Sequence, residues 1–286
     1  MANSRVSRRD FVKTGAVAAA GTALGLRPGS IVEAGNPTDE KTEGILNYNE
    51  QMEYRRAGKT GWMVSACCLG GHWKRVDKMV PGLFQGKGWL SAKLDDSDFE
   101  KNRYDVVTQC MERGINYIDA CTKQEVIMYA KALKGRRDKM YLGFSWYQEE
   151  MRGLSREWQK AKKSGSPKPP GWITAQLKQA IDNGFKETGL EYVDVWRITA
   201  HEQSGNHEDQ EMEEMCEALA WAKKTGRARF TGMSSHHRPH IKKWIQARPD
   251  VFDVIVTPYT AKTKMAGVER VDATEEGKAA RVTKME

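Results

Sequence analysis

A short apolar segment that ends near an aspartate, residues 115–120, lies between two segments with helical spacing. The pattern of strand and helix recurs along the chain, and Gly189 and Gly226 stand where a helix gives way to the next strand. Six such strands follow a predicted β-hairpin at residues 52–65. This alternation predicts a parallel sheet with helices outside it. In a parallel α/β barrel, Asp119 would lie at the carboxyl end of a strand, where such folds place their chemistry.

Helical and strand spacing also predict the individual elements. The charged residues 148–171 are predicted to be a solvated surface excursion. Cys67, Cys68 and Cys110 stand in apolar surroundings and are predicted to be small buried hydrophobes. The predicted helices span residues 98–113, 125–133, 173–188, 209–225 and 239–247, and the predicted strands span 64–71, 115–120, 139–144, 192–198, 228–233 and 252–257.

The alternating pattern leaves two architectures open, a barrel and a doubly wound sheet. No Gly-x-Gly-x-x-Gly motif opens a helix after the first strand. Because dinucleotide-binding sheets of the doubly wound kind depend on that motif, its absence argues against that fold.

The charge of the chain argues against a nucleic-acid partner. The formal net charge is +8, and part of it lies in residues 1–34. The other 41 basic and 36 acidic residues leave a mild excess of +5. No basic stripe interleaved with aromatic residues is visible, so the usual footprint of nucleic-acid binding is missing.

The amino terminus predicts export. Residues 7–13, Ser-Arg-Arg-Asp-Phe-Val-Lys, match the twin-arginine motif, and the apolar residues 14–26 follow. That segment is shorter than the about 20 residues that span a bilayer, so no permanent membrane span is expected. We interpret residues 1–34 as a twin-arginine signal peptide that directs the protein to the periplasm, and residues 35–51 as a linker.

Several segments resemble the aldo-keto reductases, in the same order and at similar spacings. The resemblance implies a (β/α)8 TIM-barrel type fold that binds NADP without a glycine-rich motif, with its site at the carboxyl ends of the strands. The matching segments are residues 54–61, 64–65 and 69–71 for the opening of the family, 113–120 for its second strand, 190–195 for its fourth, 226–234 for its fifth and 252–259 for its sixth.

The resemblance implies that the barrel is incomplete. About six βα units are visible, and no seventh or eighth strand follows them. We therefore expect an incomplete barrel over residues 52–264 and an irregular charged tail over residues 265–286. A truncated or frameshifted reading frame would explain the missing strands, and so would a partner that supplies them. Such a barrel would leave two unpaired edges.

The family reduces carbonyl compounds by hydride transfer, with a tyrosine as proton donor supported by a lysine, an aspartate and a histidine. Asp119 matches the aspartate. Gln124 stands where the tyrosine is expected, and Ser145 where the lysine is expected. The histidine would fall at Thr199, and His201 lies two residues later. The resemblance therefore implies Asp119 and His201 as catalytic candidates among altered neighbours.

The implied cofactor contacts are also altered. The family's Ser-Asn pair, which binds the carboxamide of the nicotinamide, corresponds here to Ser234 and Ser235. Its glutamine on the sixth strand corresponds to Val256. Ser234 and Ser235 are thus the candidate cofactor-binding residues for NADP.

Three functional hypotheses follow. The first is an NADP-dependent oxidoreductase of aldo-keto reductase type, with degenerate catalytic residues and a small carbonyl substrate. The second is a non-catalytic binding or structural protein on a decayed barrel. The third is a metal-dependent enzyme, in which loop side chains join Asp119 at the barrel mouth; because loop histidines are common, we assign no metal ligand. The side chains considered are His72, Cys121, His201, His236 and His237.

Overall fold

Six parallel strands, paired in sequence order, form the sheet on which the fold is built. The computed structural model describes residues 42–71, 94–200 and 207–258. In chain order the elements are β1 (Tyr54–Arg56), β2 (Met63–Ser65), β3 (Leu69–Gly70), α1 (Ser97–Glu112), β4 (Tyr117–Asp119), α2 (Lys123–Ala132), β5 (Tyr141–Phe144), α3 (Met151–Lys163), α4 (Trp172–Thr188), β6 (Val193–Thr199), α5 (Asp209–Lys224), β7 (Ala228–Ser234), α6 (Arg238–Ala247) and β8 (Val254–Val256).

The predicted fold class is confirmed. The sheet runs β3-β4-β5-β6-β7-β8 with every neighbouring pair parallel, and it curls as an incomplete (β/α)8 barrel. Because parallel neighbours require a crossover, helices connect these strands and cover the outer face of the sheet. Strands β3 and β8 form the two edges.

Alternation along the strands separates an outer core from an interior layer. Leu142 and Phe144 of β5, and Trp196 and Ile198 of β6, are fully buried between the sheet and the helices. The residues between them face the interior of the curled sheet. Inward-facing side chains at the carboxyl ends of β4, β6 and β7 therefore converge.

β1 and β2 pair as the predicted hairpin, which packs at the amino-terminal end of the sheet. Its turn ends at Gly61, which has a φ of 78° that favours glycine. Trp62, next to it, stacks on Tyr141 at 4.3 Å between ring centroids and meets Phe230 edge-on at 4.6 Å. Lys59 donates a hydrogen bond to the carbonyl oxygen of Pro249. The hairpin thus holds together strands from both halves of the sheet.

Local signals define the helices where the sequence predicts them. Asp96 caps α1 by accepting a hydrogen bond from the amide of Phe99 at 3.0 Å. Thr122 and Glu125 form a capping box at the start of α2. Gly189 ends α4 in the left-handed conformation, with a φ of 71°.

The structure corrects two predictions about the first strand. Residues 64–71 are predicted to be one buried strand, but a bend at Ala66 and Cys67 divides them between β2 and β3. The bend forms because Ser65 donates its hydroxyl hydrogen bond to the carbonyl oxygen of Cys67. Cys67 and Cys68 are therefore exposed instead of buried, while Cys110 is half-buried.

A third correction concerns residues 148–171, which are predicted to be a solvated excursion. They contain α3, whose Met151, Leu154 and Trp158 are buried against the outer core. The apolar residues of this charged segment recur at helical spacing, so the helix has one buried face.

The predicted linker, residues 35–51, meets the barrel in its last part, because the described residues from Gly44 onward belong to one compact unit. The amide of Asn47 donates to the carbonyl oxygens of Ile115 and Lys139, at 3.1 and 2.8 Å. The predicted signal peptide and the charged tail, residues 265–286, lie outside the described residues. Within the described ranges, no helix is long and apolar enough to cross a membrane.

Replacing Trp62 by alanine tests the role of the hairpin. Trp62 is buried and contacts two aromatic rings, so Trp62→Ala is expected to lower the free energy of unfolding by about 3–5 kcal/mol. Urea denaturation measures the change. Ile245→Ala, at an exposed position of α6, is the control and should shift the midpoint little. A similar midpoint for both variants would contradict this role.

Candidate active site

A buried ion pair lies at the carboxyl ends of the strands. Arg197 on β6 donates from Nε to Asp119 Oδ1 at 2.6 Å and from Nη2 to Oδ2 at 2.8 Å. The Arg197 side chain is 2% exposed and that of Asp119 is 22% exposed. Two parallel hydrogen bonds to a carboxylate fix the guanidinium plane. The side chain of Asp119 is therefore restrained, and Arg197 lies against it as a counter-charge.

Strand register brings these two side chains together across β5. Asp119 pairs with Gly143, and Gly143 pairs with Val195, two residues before Arg197. A side chain at position 143 would place its Cβ atom 2.4 Å from the Tyr117 hydroxyl and 3.2 Å from Asp119 Oδ1. Gly143 therefore leaves the space that the tyrosine and the ion pair occupy.

Three buried polar atoms around the ion pair have no hydrogen-bond partner among the described residues. They are the Tyr117 hydroxyl, Arg197 Nη1 and Thr199 Oγ1. Tyr117 and Asp119 share the inner face of β4, and Arg197 and Thr199 share the inner face of β6, because side chains alternate along a strand. Buried polar groups without partners are uncommon and often mark a functional site.

The charges of the pair alter the neighbouring groups. Burial opposes the charge of Arg197, but the carboxylate of Asp119 outweighs it and holds the guanidinium pKa above its ordinary value. Burial raises the pKa of Tyr117, and the negative charge of Asp119 raises it further. Burial likewise raises the pKa of Cys121. The tyrosine and the thiol therefore stay protonated at neutral pH.

Gln124 and Ser145, the positions at which the resemblance predicts a tyrosine and a lysine, make contacts with other residues. Gln124 accepts a hydrogen bond from Gln148 at 2.8 Å. Ser145 donates to the buried carboxylate of Glu150 at 2.5 Å. That carboxylate also accepts from the amide of Trp146 and the indole of Trp196, so Ser145 belongs to a separate polar cluster on the outer side of the sheet.

Lys123 and Tyr129 lie close in sequence to Asp119, but both make contacts with other residues. Lys123 pairs with Glu149 at 2.5 Å and with Glu187 at 3.2 Å. Tyr129 of α2 is fully buried, and its hydroxyl donates to the carbonyl oxygen of Gly70. The cation that accompanies Asp119 in the described part of the chain is thus Arg197.

The two candidate cofactor residues differ in their surroundings. Ser234 is half-buried at the end of β7 and pairs in register with Thr199 of β6 and Val256 of β8. Its side chain belongs to the interior layer. Ser235 is fully buried, and its hydroxyl accepts from the amide of His237 at 3.1 Å, at the start of α6. Ser234 is therefore the better placed of the two to meet a ligand at the mouth.

The second catalytic candidate, His201, lies outside the described residues, and so does His72. Thr199, where the resemblance places the histidine, ends β6. His237 and His240 lie with their ring centroids 6.4 Å apart. In the described ranges, no group of three or more histidine, cysteine, aspartate or glutamate side chains could hold a metal ion.

Sequence analysis overlooks Arg197 and Tyr117 as site residues, and it names Thr199 only as the position of the expected histidine. One signal for Arg197 is present in the sequence, since an arginine stands among the apolar residues Val195, Trp196 and Ile198 of β6. A strand covered on both faces buries that charge, so a carboxylate partner is required. The partner, 78 residues away in sequence, is defined by the sheet.

The family model for the twin-arginine translocation pathway signal sequence matches residues 5–25, which confirms the predicted export signal. The barrel is similar to solved structures of aldo-keto reductases, the family that its motifs resemble.

Three of these structures illustrate the similarity. The holo form of aldo-keto reductase AKR11C1 from Bacillus halodurans has a TM-score of 0.48 and 21% identity, over 73% of this chain and 58% of that chain. An aldo-keto reductase from Brucella melitensis has a TM-score of 0.47 and 14% identity, over 73% and 63%. The thermostable aldo-keto reductase Tm1743, in complex with the inhibitor epalrestat, has a TM-score of 0.49 and 17% identity, over 72% and 62%. The matched part of this chain thus spans less than two thirds of each.

A double-mutant cycle tests the energetics of the ion pair. Asp119→Asn leaves the buried Arg197 charge without an anion and is expected to cost about 3–5 kcal/mol of stability. Arg197→Leu should cost less, because Asp119 keeps contact with solvent. The double variant should be more stable than Asp119→Asn alone. Chemical denaturation measures all three.

Asp105→Asn is the control for this cycle, because it removes an exposed ion pair with Lys101. That variant should leave the midpoint unchanged. Strictly additive effects of the two substitutions at Asp119 and Arg197 would contradict the coupling.

Proposed function

We propose that the protein is an exported, NADP-dependent oxidoreductase of aldo-keto reductase type, in which residues 52–264 act on a small carbonyl compound. The observation that carries the proposal is the bidentate pair of Asp119 and Arg197 at the strand ends. The motif resemblance aligns Asp119 with the catalytic aspartate, and a buried cation accompanies it here from a different strand. Asp119 and His201 remain the catalytic candidates implied by that resemblance.

The residues at the mouth are compatible with part of a nicotinamide site. Ser234 offers one hydroxyl at the end of β7, at the level of Thr199. Thr199 Oγ1 is buried and has no partner within the described ranges. These two hydroxyls could bind the carboxamide, whereas Val256 offers no polar side chain. We therefore propose Ser234 as the principal carboxamide contact, with Ser235 supporting the turn behind it.

When bound, the nicotinamide would supply the hydride. Tyr117 keeps its phenolic proton at neutral pH because burial and Asp119 raise its pKa. Its hydroxyl can therefore donate a hydrogen bond to a carbonyl oxygen that gains negative charge. The bidentate pair of Arg197 and Asp119 holds a fixed dipole beside it, and Arg197 does not release its proton.

The cofactor proposal is tested by adding NADPH to the purified protein. The nine tryptophans should report binding as a change in intrinsic fluorescence. Ser234→Ala should weaken binding about fivefold, the value of one hydrogen bond of about 1 kcal/mol. Ser166→Ala, at an exposed site, should leave the affinity unchanged. No fluorescence change at millimolar NADPH would count against the proposal.

Turnover separates this proposal from its alternative, a non-catalytic binding protein. Ser145 stands where the resemblance predicts a lysine, but its side chain is neutral and donates a hydrogen bond to Glu150. The missing positive charge favours the alternative. A panel of small aldehydes and ketones, followed by NADPH absorbance, should show consumption that Asp119→Asn abolishes. Binding of NADPH without turnover of any carbonyl compound would support the alternative.

The export route gives a further test. The double variant Arg8→Lys, Arg9→Lys removes the paired arginines that the translocation machinery recognises. The precursor should then remain in the cytoplasmic fraction, while the unaltered chain reaches the periplasm. Arg5→Lys, outside the pair, is the matched control and should be exported. Normal export of the double variant would contradict twin-arginine transport.

A further inference from the structure

The guanidinium of Arg197 has an edge that Asp119 does not use. An arginine carries five N–H donors in one plane, and Asp119 takes one from Nε and one from Nη2. The terminal edge, formed by Nη1 and the second N–H of Nη2, presents two parallel donors. Nη1 is buried and makes no conventional hydrogen bond in the described part of the chain, although the Cys121 thiol is a hydrogen-bonding neighbour of the guanidinium. This edge has the geometry that recognises a carboxylate.

Other buried carboxylates near the sheet are already occupied. Asp194 binds Arg137 at 2.6 Å and Arg229 at 3.0 Å. Glu150 accepts three hydrogen bonds, from Ser145, Trp146 and Trp196. Neither of these carboxylates therefore competes for the free edge of Arg197, and Cys121 beside the guanidinium is an uncharged thiol because burial raises its pKa. An anion from outside would complete the edge.

Thr199 extends this edge toward the mouth of the barrel. It follows Arg197 by two residues on the same face of β6, and its buried hydroxyl also has no partner within the described ranges. A hydroxyl beside a guanidinium edge adds a neutral donor for an oxygen ligand. Two unsatisfied donors of different kinds on one strand face favour a ligand with several oxygen atoms over a single halide ion.

We propose that the free edge of Arg197, with the hydroxyl of Thr199, binds the carboxylate of a small organic acid. Resting on the proposed function, this makes carbonyl compounds that bear a carboxylate, such as 2-oxo acids, the substrate class. The binding step needs no cofactor, since the donors belong to β6 alone. Carboxylate binding and NADPH-dependent turnover can therefore be tested separately.

The experiment compares pyruvate with its uncharged amide, pyruvamide, in the absence of cofactor. Pyruvate should raise the melting temperature of the protein and give a saturable calorimetric signal, whereas pyruvamide should do neither. Sulfate and chloride at equal ionic strength control for generic anion binding. No effect of pyruvate, or equal effects of pyruvate and chloride, would overturn the inference.

Two variants locate the site. Arg197→Lys keeps the charge opposite Asp119 but loses the planar fork, so the dissociation constant for pyruvate should rise at least tenfold. Thr199→Val is isosteric and should raise it about fivefold, by the loss of one hydrogen bond. Arg197→Lys could unfold the protein, and Thr199→Val then decides. Unchanged affinity in a folded Arg197→Lys variant, or in Thr199→Val, would overturn the inference.

The result is distinguishable from failure of the proposed function. Pyruvate binding that depends on Arg197, together with no response to NADPH, would retain the carboxylate site and reject the oxidoreductase. NADPH binding with reduction of neutral aldehydes, but no pyruvate binding, would retain the oxidoreductase and reject the carboxylate site.

Discussion

A guanidinium that is almost fully buried requires an anion, and this requirement organises the interior of the barrel. Arg197 has lost nearly all contact with water, so its charge is tolerable only beside Asp119. The bidentate contact needs β4, β5 and β6 in one register, with no side chain at position 143. Any shift of β6 against β5 would separate the two charges. The ion pair therefore contributes to strand register as well as to the electrostatics of the mouth.

Incomplete closure is the second constraint on this fold. A sheet of six parallel strands has two edges, and exposed edges invite pairing with other chains. Both edge strands are very short, since β3 has two residues and β8 has three. The hairpin covers the amino end of the sheet, and Lys59 on its turn pairs with the buried Asp253 just before β8 at 3.2 Å. These features limit the edges without closing the barrel.

The barrel mouth carries one aspartate that the resemblance predicts, among neighbours that it does not predict. Asp119 stands where the resemblance predicts, but Arg197, Tyr117 and Thr199 surround it in place of the expected lysine and histidine. A permanent cation and a tyrosine of raised pKa favour hydrogen bonding and charge stabilisation over proton exchange at neutral pH. Binding of an oxygen-rich, charged ligand is the chemistry that such a group of donors performs most directly.

Local sequence patterns are enough to predict the order of strands and helices, the parallel arrangement and the export signal. Periodicity, helix caps such as Asp96 and Thr122, and the paired arginines are local features, so each is visible in a short window. The position of Asp119 at a strand end followed from the same alternation. The buried face of α3 is not predicted, because residues 148–171 are mostly charged. The bend at Cys67 is not predicted, because it interrupts an apolar run that resembles one continuous strand.

Which side chains meet depends on how the strands and helices pack. Asp119 and Arg197 are 78 residues apart, and their contact depends on strand register and sheet curvature, which no short segment encodes. The same holds for Ser145, which the strand end turns toward Glu150, and for Lys123, which pairs on the outer surface. The unused edge of Arg197 is visible only when its neighbours are known. Sequence thus located the strand ends, whereas packing selected the chemistry there.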